Sequence, residues 1–341
     1  MSLEMKALPP SETWPIRRWI LLAAFSVTGS LSLAGHSGFC SSEFSHSAES
    51  ALAAEPETSV RTELEQLQKS NGLTIGIFDT EGIGVLLFRK RAFAHRKLLA
   101  DSHFIHGVVS PDGTEIAFNF PLGAPSLIVV VRTDGTDRRE YNEFLNSGPL
   151  CWSNDNSRLV LYAPGARIQV VELKSKSVQE LPIGDRSNRV WVTPQCWSPD
   201  GEQIAYQSMN GSVFVYDLGK RTSTRLAKGT GATWSPDGAW IAYRDGDTYY
   251  AVHPSGEGQE KLFHKTRAVS GLYWSPDSRF VAYVHEDFFA LDVEFYHLMV
   301  RRLEDGSEEW MANGVGAGDN FQWVENPQLL KQVKSEATKV K

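Results

Sequence analysis

The chain has 341 residues, 41% of them hydrophobic, which suits a globular protein with a sizeable core. Its formal net charge of -7 at pH 7, with no polybasic run in the part expected to fold, argues against nucleic acid or an anionic membrane surface as a partner.

Residues 1–15 are polar. Arg17 and Arg18 then precede an apolar run at 19–33 (WILLAAFSVTGSLSL). Positive charge, a short apolar stretch and small residues make the layout of a secretory signal, with Ser32 and Ala34 suited to cleavage after Ala34. The alternative is an uncleaved anchor over 19–35 with the N-terminus inside. The run falls short of a full span of about 20 residues, and Ser26, Thr28, Ser30 and Ser32 dilute it. Phe39 before Cys40 is wrong for a lipoprotein signal. Residues 1–35 are therefore expected to be a signal peptide or membrane anchor. The chain is expected to be exported: periplasmic, extracellular or membrane-anchored.

Residues 36–72 read as a linker and a short helix. The linker is rich in Ser, Ala and Glu. The helix, over 58–70, has Val60, Leu64 and Leu67 on one face and Gly72 as its stop, and is expected to cap the end of the folded domain. Strands follow at 74–78 and 84–88, with a closing segment at 95–99.

From there the chain repeats itself. The strings at 195–206 (QCWSPDGEQIAY), 232–243 (ATWSPDGAWIAY) and 272–283 (LYWSPDSRFVAY) share one pattern, and looser copies stand at 108–118 (VVSPDGTEIAF) and 150–162 (LCWSNDNSRLVLY). The anchors Val109, Trp152, Trp197, Trp234, Trp274 and Trp323 recur about every 40 residues. Ser-Pro-Asp-Gly is a turn with a mechanism: Pro presets φ, Asp bonds the local backbone and Gly takes the left-handed position. After each turn comes a strand such as 240–243, then another such as 212–218, then a more polar one such as 222–226. Four short antiparallel strands per repeat are the blades of a β-propeller. The first strands lack an anchor and the last anchor, Trp323, lacks a blade. The two ends are therefore expected to share one, the C-terminus giving the inner strand, which removes both free sheet edges. The expected fold is all-β: a six-bladed β-propeller of four-stranded blades over 73–326, preceded by the signal or anchor and the short helix. Residues 327–341 are left as a tail, and removing 330–341 is expected to be nearly silent.

The Trp-Ser-Pro-Asp-Gly-x-x-Ile-Ala-Tyr pattern resembles the repeat of TolB-like propellers, which is similar to that in the propeller domains of prolyl-oligopeptidase-type peptidases. A full TolB protein carries an N-terminal α/β domain, for which the stretch before Leu73 is too short. The peptidases need an α/β-hydrolase domain, and the chain ends about where the propeller ends. No Gly-x-Ser-x-Gly, His-Glu-x-x-His, P-loop or dinucleotide fingerprint occurs; the nearest string is Gly35-His36-Ser37-Gly38. No catalytic residue, metal or cofactor is expected. His103 with His106, and His285, Glu286, Asp287, Asp292, Glu294 and His297, have the residue types of metal sites but read as solvated surface. Cys151 and Cys196 precede consecutive anchors. Their places on neighbouring inner strands read as too far apart for a disulfide, so free buried thiols are expected.

Trp152, Trp197, Trp234, Trp274 and Trp323 read as structural anchors packing between blades. If the inner strands line the channel, the rows three and four residues before the anchors ring its mouth. His106, Thr193, Thr230, Ser270, Asp319 and Asn320 are the polar members and the candidate ligand-binding residues. The resulting expectation is a monomeric, non-enzymatic binding or scaffold protein of the cell envelope that grips a protein or peptide. The alternative is a channel-mouth enzyme, a lyase or hydrolase that could be metal-dependent.

Overall fold

The computed structural model describes residues 58–79, 82–96, 107–120, 126–146, 150–163, 167–184, 189–289, 293–313, 315 and 321–339. The signal or anchor expected over 1–35 and the linker to residue 57 lie outside them. The described chain is a six-bladed propeller of four-stranded antiparallel sheets. Blade 1 takes its inner strand from the C-terminus: Phe321–Glu325 pairs with Leu73–Asp79, followed by Gly82–Leu87 and Ala92–Arg96. Blades 2 to 5 begin at Gly107–Val109, Cys151–Trp152, Val190–Trp191 and Thr230–Trp234, and blade 6 at Tyr273–Trp274. The shared blade closes the ring by backbone pairing, Thr74 opposite Val324 and Ile75 opposite Trp323.

One turn, used five times, starts the second strand of blades 2 to 6. In blade 5 the Ser235 hydroxyl donates to Asp237 Oδ1 at 2.6 Å and accepts from the Trp240 amide at 2.9 Å, while Asp237 Oδ1 accepts from the Ala239 amide at 3.0 Å. The same bonds recur around Ser110, Ser153, Ser198 and Ser275. Position four of the turn has positive φ: glycine at Gly113, Gly201 and Gly238, but Asn156 and Ser278 in the other two copies. Blade 1 has no such turn. Asn326 sits there instead and its side chain accepts from the Leu329 amide at 2.9 Å, starting a helix.

The core lies between blades. Six clusters of buried side chains fill the six gaps, and each anchor packs against the preceding blade: Val109 beside Ile83 and Val85, Trp152 beside Val108 and Ala117, Trp197 beside Cys151 and Val160. Trp234 and Trp274 lie likewise in clusters shared with blades 4 and 5, and Trp323 in one shared with blade 6.

Both gaps flanking the shared blade carry a helix. Helix α1 (Val60–Ser70) is capped by Ser59 and buries Val60 and Leu64 where blades 6 and 1 meet. Its Glu63 accepts from Arg302 Nη2 at 2.7 Å, and Arg302 Nη2 also donates to the Thr58 carbonyl at 2.7 Å. Helix α2 (Pro327–Lys339) covers the gap between blades 1 and 2, burying Leu329, Leu330 and Val333 against Ile83, Val85 and Leu87. This corrects the sequence reading of a tail whose loss would be silent. The lysines suggested mobility, but the apolar residues at spacings of one and three face a groove that the incomplete repeat leaves open. Among the described residues no helix is long and apolar enough to cross a membrane.

Candidate functional site

The inner strands converge on a cavity of about 280 Å³ at the Ser-Pro-Asp turn end of the channel. Its wall contains Trp152, Trp197, Trp234, Trp274 and Trp323, together with prolines of the turns, Pro111, Pro199, Pro236 and Pro276. The anchors thus serve twice, filling the gaps between blades and walling the cavity. The sixth anchor, Val109, is not in the wall, so the ring of indoles is open on that side.

The indole N–H groups follow a rule with two exceptions. Trp152 donates to the Val108 carbonyl at 3.1 Å, Trp197 to Cys151 at 3.5 Å and Trp323 to Tyr273 at 2.9 Å. Each acceptor stands one residue before the preceding anchor. Trp234 and Trp274 break the series: their indole nitrogens are buried with no hydrogen-bond partner.

The floor is built by Gln195. Pro194 has no amide to give to a ladder, and the chain leaves the inner strand of blade 4 in a turn at Pro194 and Gln195. The Gln195 carbonyl accepts from the Trp234 amide of blade 5 at 2.9 Å. Its side chain passes on to blade 6, donating to the Trp274 carbonyl and accepting from the Trp274 amide, both at 2.8 Å. One residue thereby ties three inner strands. On the same side of the ring, blades 5 and 6 touch backbone to backbone: a Cβ built on Gly231 would lie 2.8 Å from the Gly271 Cα.

Cys151 and Cys196 are disulfide-bonded with Cα atoms 6.6 Å apart, which corrects the expectation of free thiols. The reason is the same turn. It carries Cys196 in toward the axis, where its amide lies 3.4 Å from Cys151 Sγ.

The mouth proposed from the sequence is at the opposite end of the strands. Of its six residues, His106, Asp319 and Asn320 lie outside the described residues. Thr193 donates its hydroxyl to the Ala232 carbonyl at 2.7 Å, linking blades 4 and 5. Ser270 is buried, donating to the Gly271 carbonyl and accepting from the Val284 amide, both at 2.8 Å. Thr230 is half-buried at the start of its strand, opposite Arg244. The structure gives Thr193 and Ser270 bonds within the wall. The sequence reading missed Gln195, although a signal was present. Two residues before the anchors stand Gly107, Leu150, Gln195, Ala232, Leu272 and Phe321, and Gln195 is the one polar side chain in that row.

No lining residue of the cavity is charged. Its rim is different: the turns put Asp112, Asp155, Asp200, Asp237 and Asp277, all exposed, next to lining residues. Hydrogen bonds from the Ser198 hydroxyl and the Glu202 amide hold the Asp200 carboxyl below its usual range. Burial opposes the same effect at Asp155, but the Ser153 and Ser157 bonds win there too. Arg158 answers this charge, its guanidinium stacked 4.6 Å over the Trp197 ring and donating to the Gly201 carbonyl at 3.0 Å. Of the histidine and acidic group in the fifth repeat, His285 and His297 are opposite one another in the hairpin, and His297 Nδ1 lies 2.5 Å from Asn313 Oδ1. Asp292 lies outside the described residues. Among the described residues no group of three or more His, Cys, Asp or Glu is placed to hold a metal ion.

No family model matches the chain, and no curated protein does. Solved structures do. A TolB candidate from Agrobacterium tumefaciens matches with a TM-score of 0.54 at 16% identity, over 74% of this chain and 98% of that one. TolB from Acinetobacter baumannii gives 0.53 at 16% identity, over 74% of this chain and 66% of that one. A chain of a nidogen/laminin complex gives 0.51 at 9% identity, over 74% and 97%. The architecture is that of a TolB-like propeller.

Proposed function

We propose that this protein is a non-enzymatic binding module of the cell envelope, taking a segment of a protein or peptide at the turn end of its channel. The observation that carries this reading is the cavity itself. Its wall is of rigid indole and pyrrolidine rings, uncharged, and its floor is closed by Gln195. Aromatic side chains offer large contact area at low cost in conformational entropy, as binding surfaces require. At about 280 Å³ the cavity is just below the usual range of small-molecule sites, roughly 300–1,000 Å³, and admits a side-chain cluster or chain tip. Export is supported by Arg17, Arg18 and the apolar run at 19–33, and by the Cys151–Cys196 bond, which belongs in an oxidising compartment.

The test is site-specific photo-crosslinking in cells that make the full chain. A crosslinker at Asn154 or Pro236, on the turn end, is expected to capture one defined partner. The same crosslinker at the exposed Met209, at the turn between the second and third strands of blade 4, is expected to capture none. Capture only from Met209, or from no position, overturns the reading.

A further inference from the structure

The side chains of the cavity wall have one kind of hydrogen-bonding site left over. Their donors are spent or sealed. The indole N–H groups of Trp152, Trp197 and Trp323 go to backbone carbonyls, and those of Trp234 and Trp274 are buried out of reach of anything in the cavity. Gln195 spends both ends of its amide on Trp274, and the Ser235 hydroxyl donates to Asp237. The amide nitrogens of Asn154 and Gln322 donate to the Ser198 carbonyl at 3.1 Å and the Trp323 carbonyl at 3.5 Å. What remains is a pair of acceptors, Asn154 Oδ1 and Gln322 Oε1, to which no described residue donates. Gln322 lines the cavity and is only 8% exposed, so an entering donor is the partner that its oxygen lacks.

Two further features favour a donor that carries positive charge. Five indoles wall the space, and the face of an indole attracts a cation. Trp197 already takes one, the Arg158 guanidinium, 4.6 Å from its ring centroid. The five turn aspartates on the rim add negative charge at the approach. Arg158 and Arg279 follow Asp155 and Asp277 in their turns, and both are engaged, Arg158 with the Gly201 carbonyl and Arg279 with Glu63. Between the two common cationic side chains the wall selects arginine. No lining residue is charged, so nothing there replaces the tightly held water of a lysine ammonium. A guanidinium is more weakly hydrated, stacks flat on aromatic faces and has five donors to offer the amide oxygens.

We infer that the cavity takes the guanidinium of an arginine side chain from a partner protein, stacked among the indoles with Gln322 Oε1 as an acceptor. The rim aspartates draw it in. This rests on the proposed binding function at the same site and specifies the chemical group that is bound.

The test uses the full chain and three capped peptides, Gly-Arg-Gly, Gly-citrulline-Gly and Gly-Lys-Gly, read by tryptophan fluorescence. Citrulline keeps the shape of arginine and removes its charge. The arginine peptide is expected to give a saturable change. Citrulline should bind about tenfold more weakly, a gap that narrows as salt is added, and lysine about 3- to 10-fold more weakly. Gln322→Met keeps the length of the side chain and removes the acceptor, and should weaken the arginine peptide by about 3- to 10-fold. Asp200→Asn combined with Asp237→Asn keeps an oxygen in each turn and removes two rim charges. It should weaken the arginine peptide about threefold at low salt and less at high salt. Thermal melts accompany the variants. If one fails to fold, the comparison of peptides on the unaltered protein still decides the matter. Equal binding of the arginine and citrulline peptides, tighter binding of lysine than of arginine, no saturable binding of the arginine peptide, or a Gln322→Met protein that folds and binds as the parent does would overturn the inference. If crosslinking from Asn154 captures a partner while arginine shows no advantage over citrulline, only the inference falls and the binding function stands.

Discussion

Replacing Gln195 tests whether one side chain holds three blades in register. Gln195→Ala removes two hydrogen bonds of 2.8 Å and leaves the amide and carbonyl of Trp274, a residue only 4% exposed, without those partners. Each lost bond costs about 1 kcal/mol net, and each buried group left unpaired costs about 1–3 kcal/mol. The cavity beside Trp274 is large enough to admit water, which recovers part of that loss, so the expected cost is about 2–3 kcal/mol. Gln195→Met separates bonding from filling, because it keeps the length of the side chain and discards both polar ends. It should lose nearly as much as the alanine variant. The assay is urea unfolding followed by tryptophan fluorescence and circular dichroism, with the midpoint falling and the slope unchanged. A Met variant within about 0.5 kcal/mol of the parent would mean that Gln195 only fills space, and the account of the channel floor would fail.

Three further outcomes are expected. Reducing the Cys151–Cys196 bond, or replacing both residues by serine, opens a loop spanning 45 residues and should cost about 4 kcal/mol on the chain-entropy account; a thermal melt insensitive to reductant would refute it. Deleting residues 330–341 removes Leu330 and Val333, 5% and 0% exposed, so a loss of at least about 3 kcal/mol should appear in the same urea assay, whereas an unchanged midpoint would show that α2 does not hold the shared blade. Acid should destabilise the fold in a defined window: the Lys220 amide and ammonium push Asp217 down to about 2, and the Ser307 hydroxyl and amide push Asp305 to about 2. Because these folded values lie below the unfolded value of about 3.9, the stabilisation is present above about pH 4 and is lost as pH falls toward about 2. A denaturation midpoint flat from pH 5 to below pH 3 would contradict that sign.

The number of blades, the turn that starts the second strand of five of them and the sharing of the first blade by the two chain ends were all legible in the sequence. The reason is that each is a local or repeated feature. The turn closes its bonds within five residues, from Ser235 to Trp240, so Ser, Asp and Gly at fixed spacing specify it wherever they occur. The anchors recur because every gap between blades poses the same packing problem, and Trp197 and Trp274 solve it alike. What the repeat could not reveal is what happens where the copies meet. Alignment treats equivalent positions as equivalent, yet on the axis residues of different blades come into contact: Gln195 reaches Trp274 two blades away, and Cys196 reaches Cys151 in the next. Both depend on the turn at Pro194 and Gln195, where the inner strand of blade 4 breaks after Trp191. The same convergence forms the cavity at the turn end of the channel. In three dimensions Thr193 and Ser270 bond their hydroxyls within the wall, and the indoles, read as packing alone, also line the cavity at the turn end.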